Sequence, residues 1–179
     1  AASEMLAQLE HDPDASAICL VPSHKIAEEI NQAATEQYKA LNRQEIISKS
    51  KQNATLVVLQ GAEDPINAIN YCASEHLVLI SDDADQMRPQ VRHAGSIFCG
   101  PYSPVALGDY YAGPNHVLPT ARSARFSSPL GVMDYMKYSS YLKYSKSALA
   151  DAVSDLDALT HAEGFDAHFQ SVKVRLTGG

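Results

Sequence analysis

The stretch Ala15–Tyr38, ASAICLVPSHKIAEEINQAATEQY, decides the fold class of this chain. It opens on an apolar run of strand length near Ala15–Val21, and Pro22 and Ser23 then introduce a segment with helical periodicity. The recurring apolar residues of that segment are Ile26, Ile30, Ala33, Ala34 and Tyr38. Ser23 is the expected N-cap of the helix. A strand followed directly by an amphipathic helix is typical of a parallel α/β sheet.

The same alternation of strands and helices extends on both sides of this stretch. A short helix is expected around Ser3–Glu10, and further strands near Thr55–Leu59, Leu77–Ser81 and Ser96–Cys99. Asp64 and Pro65 should cap and begin a helix that runs toward Glu75. An acidic helix or turn is expected from Asp82 to Val91. The predicted fold class is therefore α/β, with an incomplete, four-stranded, Rossmann-like parallel sheet and flanking helices.

Proline and glycine interrupt the pattern from Gly100 to Pro129, which predicts an irregular and functional loop. Beyond the loop, an apolar stripe indicates a helix that ends at Gly164, and an amphipathic piece at Phe165–Leu176 follows. The stripe consists of Leu149, Val153, Leu156 and Leu159. We expect two domains: residues 1–130 form the α/β domain with most of the functional site, and residues 131–179 form a small helical carboxy-terminal arm.

Composition excludes several classes of function. The 179 residues carry 14 Lys and Arg against 21 Asp and Glu, a net charge of -7, so nucleic acid is not an expected partner. No apolar run approaches the ~20 residues of a membrane span. Three cysteines without a CxxC pair favour free thiols, and hence a soluble, cytoplasmic protein. Because the first residue is Ala1 and a helical pattern begins at once, we expect that the natural start is missing.

Several polar residues are candidates for chemistry. Gln8 and His11, three residues apart, can converge on one point, although such a pair is usually solvated surface. Glu75 and His76 stand where a helix gives way to a strand and could act together in proton abstraction, or could simply be a polar helix end. The broken loop contributes one carboxylate, one amide and one imidazole at Asp109, Asn115 and His116, and His168 lies in the final helical piece.

These residues include donors that suit zinc. Two histidines, one aspartate and one neutral amide would leave the metal net positive and able to polarise an alcohol or amine. A structural zinc site would more often use cysteines, which are not suitably placed here. No GxGxxG motif follows a strand, so a dinucleotide site of Rossmann type is not expected in these residues.

Several sequence segments, taken together and in order, resemble the histidinol dehydrogenase family. They are Gln8–His11, Ser74–Leu77, Ala94–Phe98, Gly100–Pro104, Gly108–Tyr110, Gly113–Thr120, Arg125–Ser128 and the stretch from Glu163 to His168. The resemblance covers nearly the whole chain and corresponds to the carboxy-terminal half of the family. It implies an NAD-dependent zinc enzyme of histidine biosynthesis that oxidises L-histidinol through L-histidinal to L-histidine in two hydride transfers.

The resemblance also implies roles for individual residues. Gln8, His11, Asp109 and His168 would be the zinc ligands, and the substrate would contact these together with His76, His116 and Glu163. His76 would be the general base, and Glu75 would activate the water that attacks the aldehyde stage. The family forms a homodimer with exchanged carboxy-terminal arms, so Glu163 and His168 would complete the partner's site. Residues that bind NAD are not assigned.

Two departures from the family leave an alternative open. Val105 stands where many members carry a glutamate, which removes a carboxylate near the site. The chain is also less than half as long as family members, so it should lack the main NAD-binding half and be inactive alone. The alternative is a stand-alone, non-catalytic α/β module that binds a metal or ligand. A zinc hydrolase using Glu75 is a weaker possibility, because no HExxH helix is present.

Overall fold

The computed structural model describes residues 1–59 and 64–178, which divide into two compact units, Ala1–Tyr135 and Met136–Gly179. The first unit contains, in order, α1 (Ala2–Leu9), β1 (Ala17–Val21), α2 (His24–Tyr38), α3 (Gln44–Ser50), β2 (Ala54–Val58), α4 (Pro65–Cys72), β3 (His76–Leu79), α5 (Ala84–Met87), β4 (Ser96–Cys99) and α6 (Val105–Tyr110). The second contains α7 (Lys146–Asp151), α8 (Val153–Glu163) and α9 (Asp166–Thr177). Short 3-10 turns lie at Lys51–Asn53, Arg88–Gln90, Ser123–Arg125 and Val132–Tyr135. The α/β fold class is confirmed.

The four expected strands are present, and all of their pairings are parallel. β1 pairs with β2, and β3 pairs with β4 so that His76 lies opposite Ser96. Within the described residues these are two separate strand pairs, so the prediction of one four-stranded sheet was wrong. Leu20 of β1 packs into the apolar cluster that includes Leu79 of β3. Side-chain packing, rather than a ladder of hydrogen bonds, therefore links the two pairs.

The predicted helix caps are confirmed. The Ser23 hydroxyl accepts a hydrogen bond from the Ile26 N–H at 3.3 Å, and the Asp64 carboxylate accepts one from the Ile66 N–H at 2.8 Å. The helix after Asp64 ends at Cys72 instead of running toward Glu75, because Ala73 adopts a left-handed conformation with φ of 48°. The three residues after Cys72 therefore lead into β3 as non-helical backbone.

Two segments differ from their sequence-based predictions: one contains an unexpected short helix, and the other forms two helices instead of one. The Gly100–Pro129 stretch contains the short helix α6, which carries Asp109. The apolar stripe around Leu156 forms two helices, because the chain breaks at Ala152 between α7 and α8. The expected end at Gly164 is confirmed by its φ of 72°.

Two apolar clusters form the core of the first unit. One joins α1, β1 and α3 through Leu6, Leu9, Ala17 and Ile47, and the other comprises Ile66, Ile69, Leu79 and Ala84. Beside the first cluster, the fully buried hydroxyl of Ser50 donates to the Leu9 carbonyl at 2.6 Å. This bond anchors the end of α1. None of the described helices has the length and apolar character to span a bilayer.

Candidate active site

A pocket of about 320 Å³ lies in the first unit between the end of α1 and the start of β3. Its walls contain Gln8, His11, Asp12, Asp14, Ala15, Glu75 and His76. Four residues singled out from sequence, namely Gln8, His11, Glu75 and His76, therefore meet around one space. The two halves of this pocket are at least 60 positions apart in sequence, so tertiary packing brings them together.

The buried side of α1 determines where Gln8 and His11 lie. Leu6 and Leu9 are buried in the core, and the Leu9 carbonyl is held by Ser50. Although His11 lies two residues beyond the end of α1, its N–H still donates to the Gln8 carbonyl at 3.4 Å. This turn keeps both side chains at the pocket, as their spacing of three residues predicted.

Backbone pairing with the start of β4 holds Glu75 and His76 in place. The Gly95 N–H donates to the Ser74 carbonyl at 2.9 Å, and the Ser96 N–H donates to the Glu75 carbonyl at 2.8 Å. A Cβ atom on Gly95 would lie 2.6 Å from the Glu75 carbonyl oxygen and 3.1 Å from Cδ of Pro119. Position 95 therefore requires glycine, and its close approach also packs the Gly113–Thr120 segment beside Glu75.

Two arginines reinforce the backbone on the other side of this turn. The guanidinium groups of Arg122 and Arg125 both donate to the carbonyl of Tyr71, near the end of α4. The Arg122 guanidinium also lies 4.5 Å from the centroid of the Tyr71 ring. Cations at a helix carboxyl terminus are favourable because they satisfy carbonyls that have no partner within the helix.

His76 faces Asp109 across the space between β3 and α6. Nε2 of His76 lies 3.8 Å from Oδ1 of Asp109, and the two side chains are 12% and 16% exposed. Neither ring nitrogen of His76 has a hydrogen-bond partner among the described residues. An unsatisfied buried nitrogen costs about 1–3 kcal/mol, so a polar group that entered the pocket and bonded to the imidazole would relieve that cost.

Helix α6, which carries Asp109, is linked to α1 by Glu4. The carboxylate of Glu4 accepts a hydrogen bond from the N–H of Val105, the first residue of α6, at 3.1 Å. Val105 was expected to remove a carboxylate from the neighbourhood of the site, but Glu4 supplies one at this helix end. Sequence reasoning missed Glu4, because no local pattern relates residues 101 positions apart.

The remaining predicted site residues do not line this pocket. His116 is exposed in the loop, where the Asn115 side chain accepts from the Val117 N–H at 2.8 Å. Glu163 and His168 belong to the second unit, in which Glu163 is the last residue of α8. There the ring of His168 stacks on Phe165 with 5.1 Å between centroids. Both Glu163 and His168 are exposed.

The chemistry of the pocket fits zinc in kind but not in number. Gln8, His11 and the carboxylates of Asp12 and Asp14 offer the oxygen and nitrogen donors that zinc accepts. Among residues 1–59 and 64–178, however, no three histidine, cysteine, aspartate or glutamate side chains converge to hold a metal ion. Residues of the first unit could therefore provide part of a zinc site, and further ligands would have to join them.

The fold and the pocket define a class, namely a parallel α/β protein whose pocket brings histidine and carboxylate side chains together at the start of a strand. The chain belongs to the histidinol dehydrogenase family, because the model of that family matches residues 1–176. The family resemblance carried by the sequence motifs is therefore confirmed.

Individual relatives agree with this assignment. The chain is 43% identical over 175 residues to histidinol dehydrogenase of Oceanobacillus iheyensis, and 44% identical over 176 residues to that of Desulfotalea psychrophila. These matches cover 97% and 98% of the chain and 41% of each relative. The crystal structure of histidinol dehydrogenase from Elizabethkingia anophelis matches with a TM-score of 0.90 and 30% identity, covering 98% of this chain and 41% of that one. The chain thus spans 41% of the length of these relatives.

Proposed function

We propose that this chain is the part of a histidinol dehydrogenase that carries the catalytic base and most of the metal and substrate contacts. The reaction is the NAD-dependent oxidation of L-histidinol through L-histidinal to L-histidine, a step of histidine biosynthesis. The observation that carries the proposal is the largely buried imidazole of His76, whose nitrogens have no hydrogen-bond partner among the described residues, in a pocket also lined by Gln8, His11 and Glu75.

His76 is the proposed general base for the alcohol step. Its ring nitrogens make no hydrogen bond within the described residues, so the nitrogen that carries no proton could accept the hydroxyl proton. NAD, when bound, would accept the hydride from the same carbon. Glu75 is proposed to take a proton from the water that adds to the aldehyde carbon. The resulting hydrate would give its hydride to a second NAD, when bound, and become the acid. Both residues line the same pocket, which lets them act on one bound substrate in turn.

The proposed zinc ligands are Gln8, His11, Asp109 and His168. Bound there, zinc would act as a Lewis acid toward the substrate alcohol and would hold the substrate through its nitrogens. Gln8 and His11 line the pocket, and Asp109 lies beside His76. His116 is proposed to help hold the imidazole end of the substrate from the exposed loop.

We propose that the second unit is a dimerisation arm that delivers Glu163 and His168 to the site of another copy of the chain. Support comes from the exposed apolar residues at its start, Tyr141, Leu142 and Tyr144, which are 86%, 75% and 66% exposed. Large, exposed apolar side chains this close together in sequence favour a protein interface. The three cysteines are all free thiols, which supports a cytoplasmic location.

A fusion experiment tests the proposed activity. The chain would be assayed alone and joined to the portion of the Oceanobacillus iheyensis relative that the match does not cover, with zinc and L-histidinol supplied. We expect the fusion to reduce NAD, and His76→Asn to lower kcat by about 10²–10⁴-fold, the usual contribution of a general base. A folded, zinc-loaded fusion that reduces no NAD would overturn the proposal.

The coverage of only 41% of the relatives favours one second candidate, a non-catalytic α/β module that binds metal or ligand. Calorimetry on the fusion, which supplies the remaining part of the relative, separates the two candidates. A module should bind zinc and L-histidinol with heats that NAD does not change, and its fusion should stay inactive. Heats that depend on NAD, or activity of the fusion, would contradict the module.

A further inference from the structure

Gly108 of α6 lies directly against the ring of Phe98 on β4. The glycine is buried, and a Cβ atom placed on it would lie 2.7 Å from Cε1 and 2.8 Å from Cζ of Phe98. Distances below 3 Å are shorter than carbon atoms tolerate without moving apart. The absence of a side chain at position 108 therefore lets α6 approach the strands as closely as the Phe98 ring permits.

Phe98 is also a neighbour of His76. In the register of β3 and β4, Phe98 lies opposite Val78 and His76 lies opposite Ser96. Residues two apart share a face of the strand pair, so Phe98 and His76 are diagonal neighbours on one face. Their ring centroids are 6.1 Å apart and the rings are tilted by 47°. The aromatic ring thus forms one wall of the space that the imidazole occupies.

Consecutive residues of α6 touch these two side chains. Gly108 meets Phe98, and Asp109 places Oδ1 3.8 Å from Nε2 of His76. The distance between the helix and the strands sets both contacts at once, because the helix backbone is rigid over two residues. A larger group at position 108 must therefore move Asp109, displace the Phe98 ring beside His76, or do both.

We propose that Phe98 and Gly108 are positioning residues that fix the distance and orientation of the His76 imidazole relative to Asp109. The importance of this geometry for catalysis rests on the proposed function. The geometry itself exists without substrate, metal or NAD, so it is testable on the chain alone. Neither residue contacts reacting atoms in this role, and both act through His76.

Side-chain nitrogen NMR on the full chain gives the direct readout. A carboxylate facing Nε2 stabilises the neutral tautomer that carries its proton on that nitrogen. At about pH 8 we expect the His76 signals to show this tautomer. Gly108→Ala should shift the signals away from it, toward the spectrum of Asp109→Ala. Alanine is a better helix former than glycine, so a loss cannot be attributed to helix propensity.

A matched control and a compensating variant make the test specific. Gly131→Ala adds the same methyl group where its nearest neighbours would be 3.9 Å away, and it should leave the His76 signals unchanged. Phe98→Leu removes Cε1 and Cζ, so the double variant Gly108→Ala with Phe98→Leu should recover the wild-type tautomer. Recovery by a second substitution identifies the Gly108 and Phe98 contact as the cause.

The outcomes distinguish this inference from the proposed function. A folded Gly108→Ala chain with wild-type His76 signals would overturn the positioning role, whatever the activity. If Gly108→Ala does not fold, the double variant Gly108→Ala with Phe98→Leu provides the test. His76 signals in that double variant that resemble those of Asp109→Ala would overturn the positioning role. In the active fusion, Gly108→Ala should lower kcat about tenfold with little change in KM, and the double variant should restore it. If the fusion is inactive but the chain shows the expected NMR shifts, the positioning role is supported and the proposed dehydrogenase activity is refuted.

Discussion

Glu4 on α1 accepts a hydrogen bond from the Val105 N–H on α6 at 3.1 Å, and this contact joins two parts of the chain 101 positions apart. α1 leads to Gln8 and His11 at the pocket, and α6 carries Asp109 beside His76. One side chain therefore connects the two helices that carry Gln8 and Asp109, two of the proposed zinc ligands. A carboxylate at the first N–H of a helix also interacts favourably with the helix dipole.

Replacing Glu4 should weaken both the fold and the proposed metal site. Glu4→Ala leaves the Val105 N–H without its partner and should lower the free energy of unfolding by about 0.5–2 kcal/mol, as for loss of a helix cap. Glu4→Gln retains an oxygen acceptor and should cost less. Chemical denaturation and zinc calorimetry measure the two effects. Glu28→Ala, on the exposed face of α2, is the control, and equal losses for Glu4→Ala and Glu28→Ala would contradict the role.

Gly95→Ala should be strongly destabilising. Its Cβ would lie 2.6 Å from the Glu75 carbonyl oxygen, and backbone atoms cannot swing away as a side-chain end can. We expect the free energy of unfolding to fall by about 1–3 kcal/mol, which is typical of overpacking. Thermal unfolding of Gly95→Ala, compared with that of Gly131→Ala, measures the loss of stability. Two identical melting curves would show that the turn adapts without cost.

Ser50 provides a test of how the end of α1 is anchored. Its buried hydroxyl donates to the Leu9 carbonyl at 2.6 Å, so Ser50→Ala leaves a buried acceptor unsatisfied and should cost about 1–3 kcal/mol. Ser48 lies on the same helix, and its exposed hydroxyl donates locally to the Glu45 carbonyl. Ser48→Ala should therefore cost much less in urea denaturation. A loss for Ser48→Ala as large as that for Ser50→Ala would contradict the anchoring role.

The Cys19 thiol gives a prediction about pH. Burial raises the pKa of Cys19, and the positive charge of the amino terminus offsets part of that rise. Because the unfolded chain then releases the thiol proton at lower pH than the folded one, the free energy of unfolding should fall as pH rises through this range. Cys19→Ala should remove that contribution. Denaturation of both proteins at about pH 7 and about pH 10 measures the difference, and parallel pH dependence would refute the prediction.

The sequence predicted those features of the fold that depend on local signals. Helix caps at Ser23 and Asp64 were predictable because each side chain bonds to a backbone N–H two or three residues away. The left-handed Ala73, which ends α4 early, carries no such signal, because alanine usually continues a helix. The short helix α6 was hidden by the glycines and prolines around it.

In the candidate site, too, the sequence predicted some residues and not others. Family motifs identified Gln8, His11, Glu75 and His76, and the structure gathers these four around one pocket. The neighbours that hold them were not predictable, since the contact between Gly108 and Phe98 depends on how closely a helix approaches a strand pair. Periodicity reports the buried face of an element and not its depth of approach.

The chain by itself determined the α/β class, the four strands, the helix caps at Ser23 and Asp64 and membership of its family, because these depend on local periodicity, capping and motif residues. Tertiary structure alone decided that the strands form two pairs, that Glu4 joins α1 to α6, and that His76 faces Asp109. Those relationships arise between distant residues whose meeting is set by the packing of buried side chains, and close packing is a property of the folded chain as a whole.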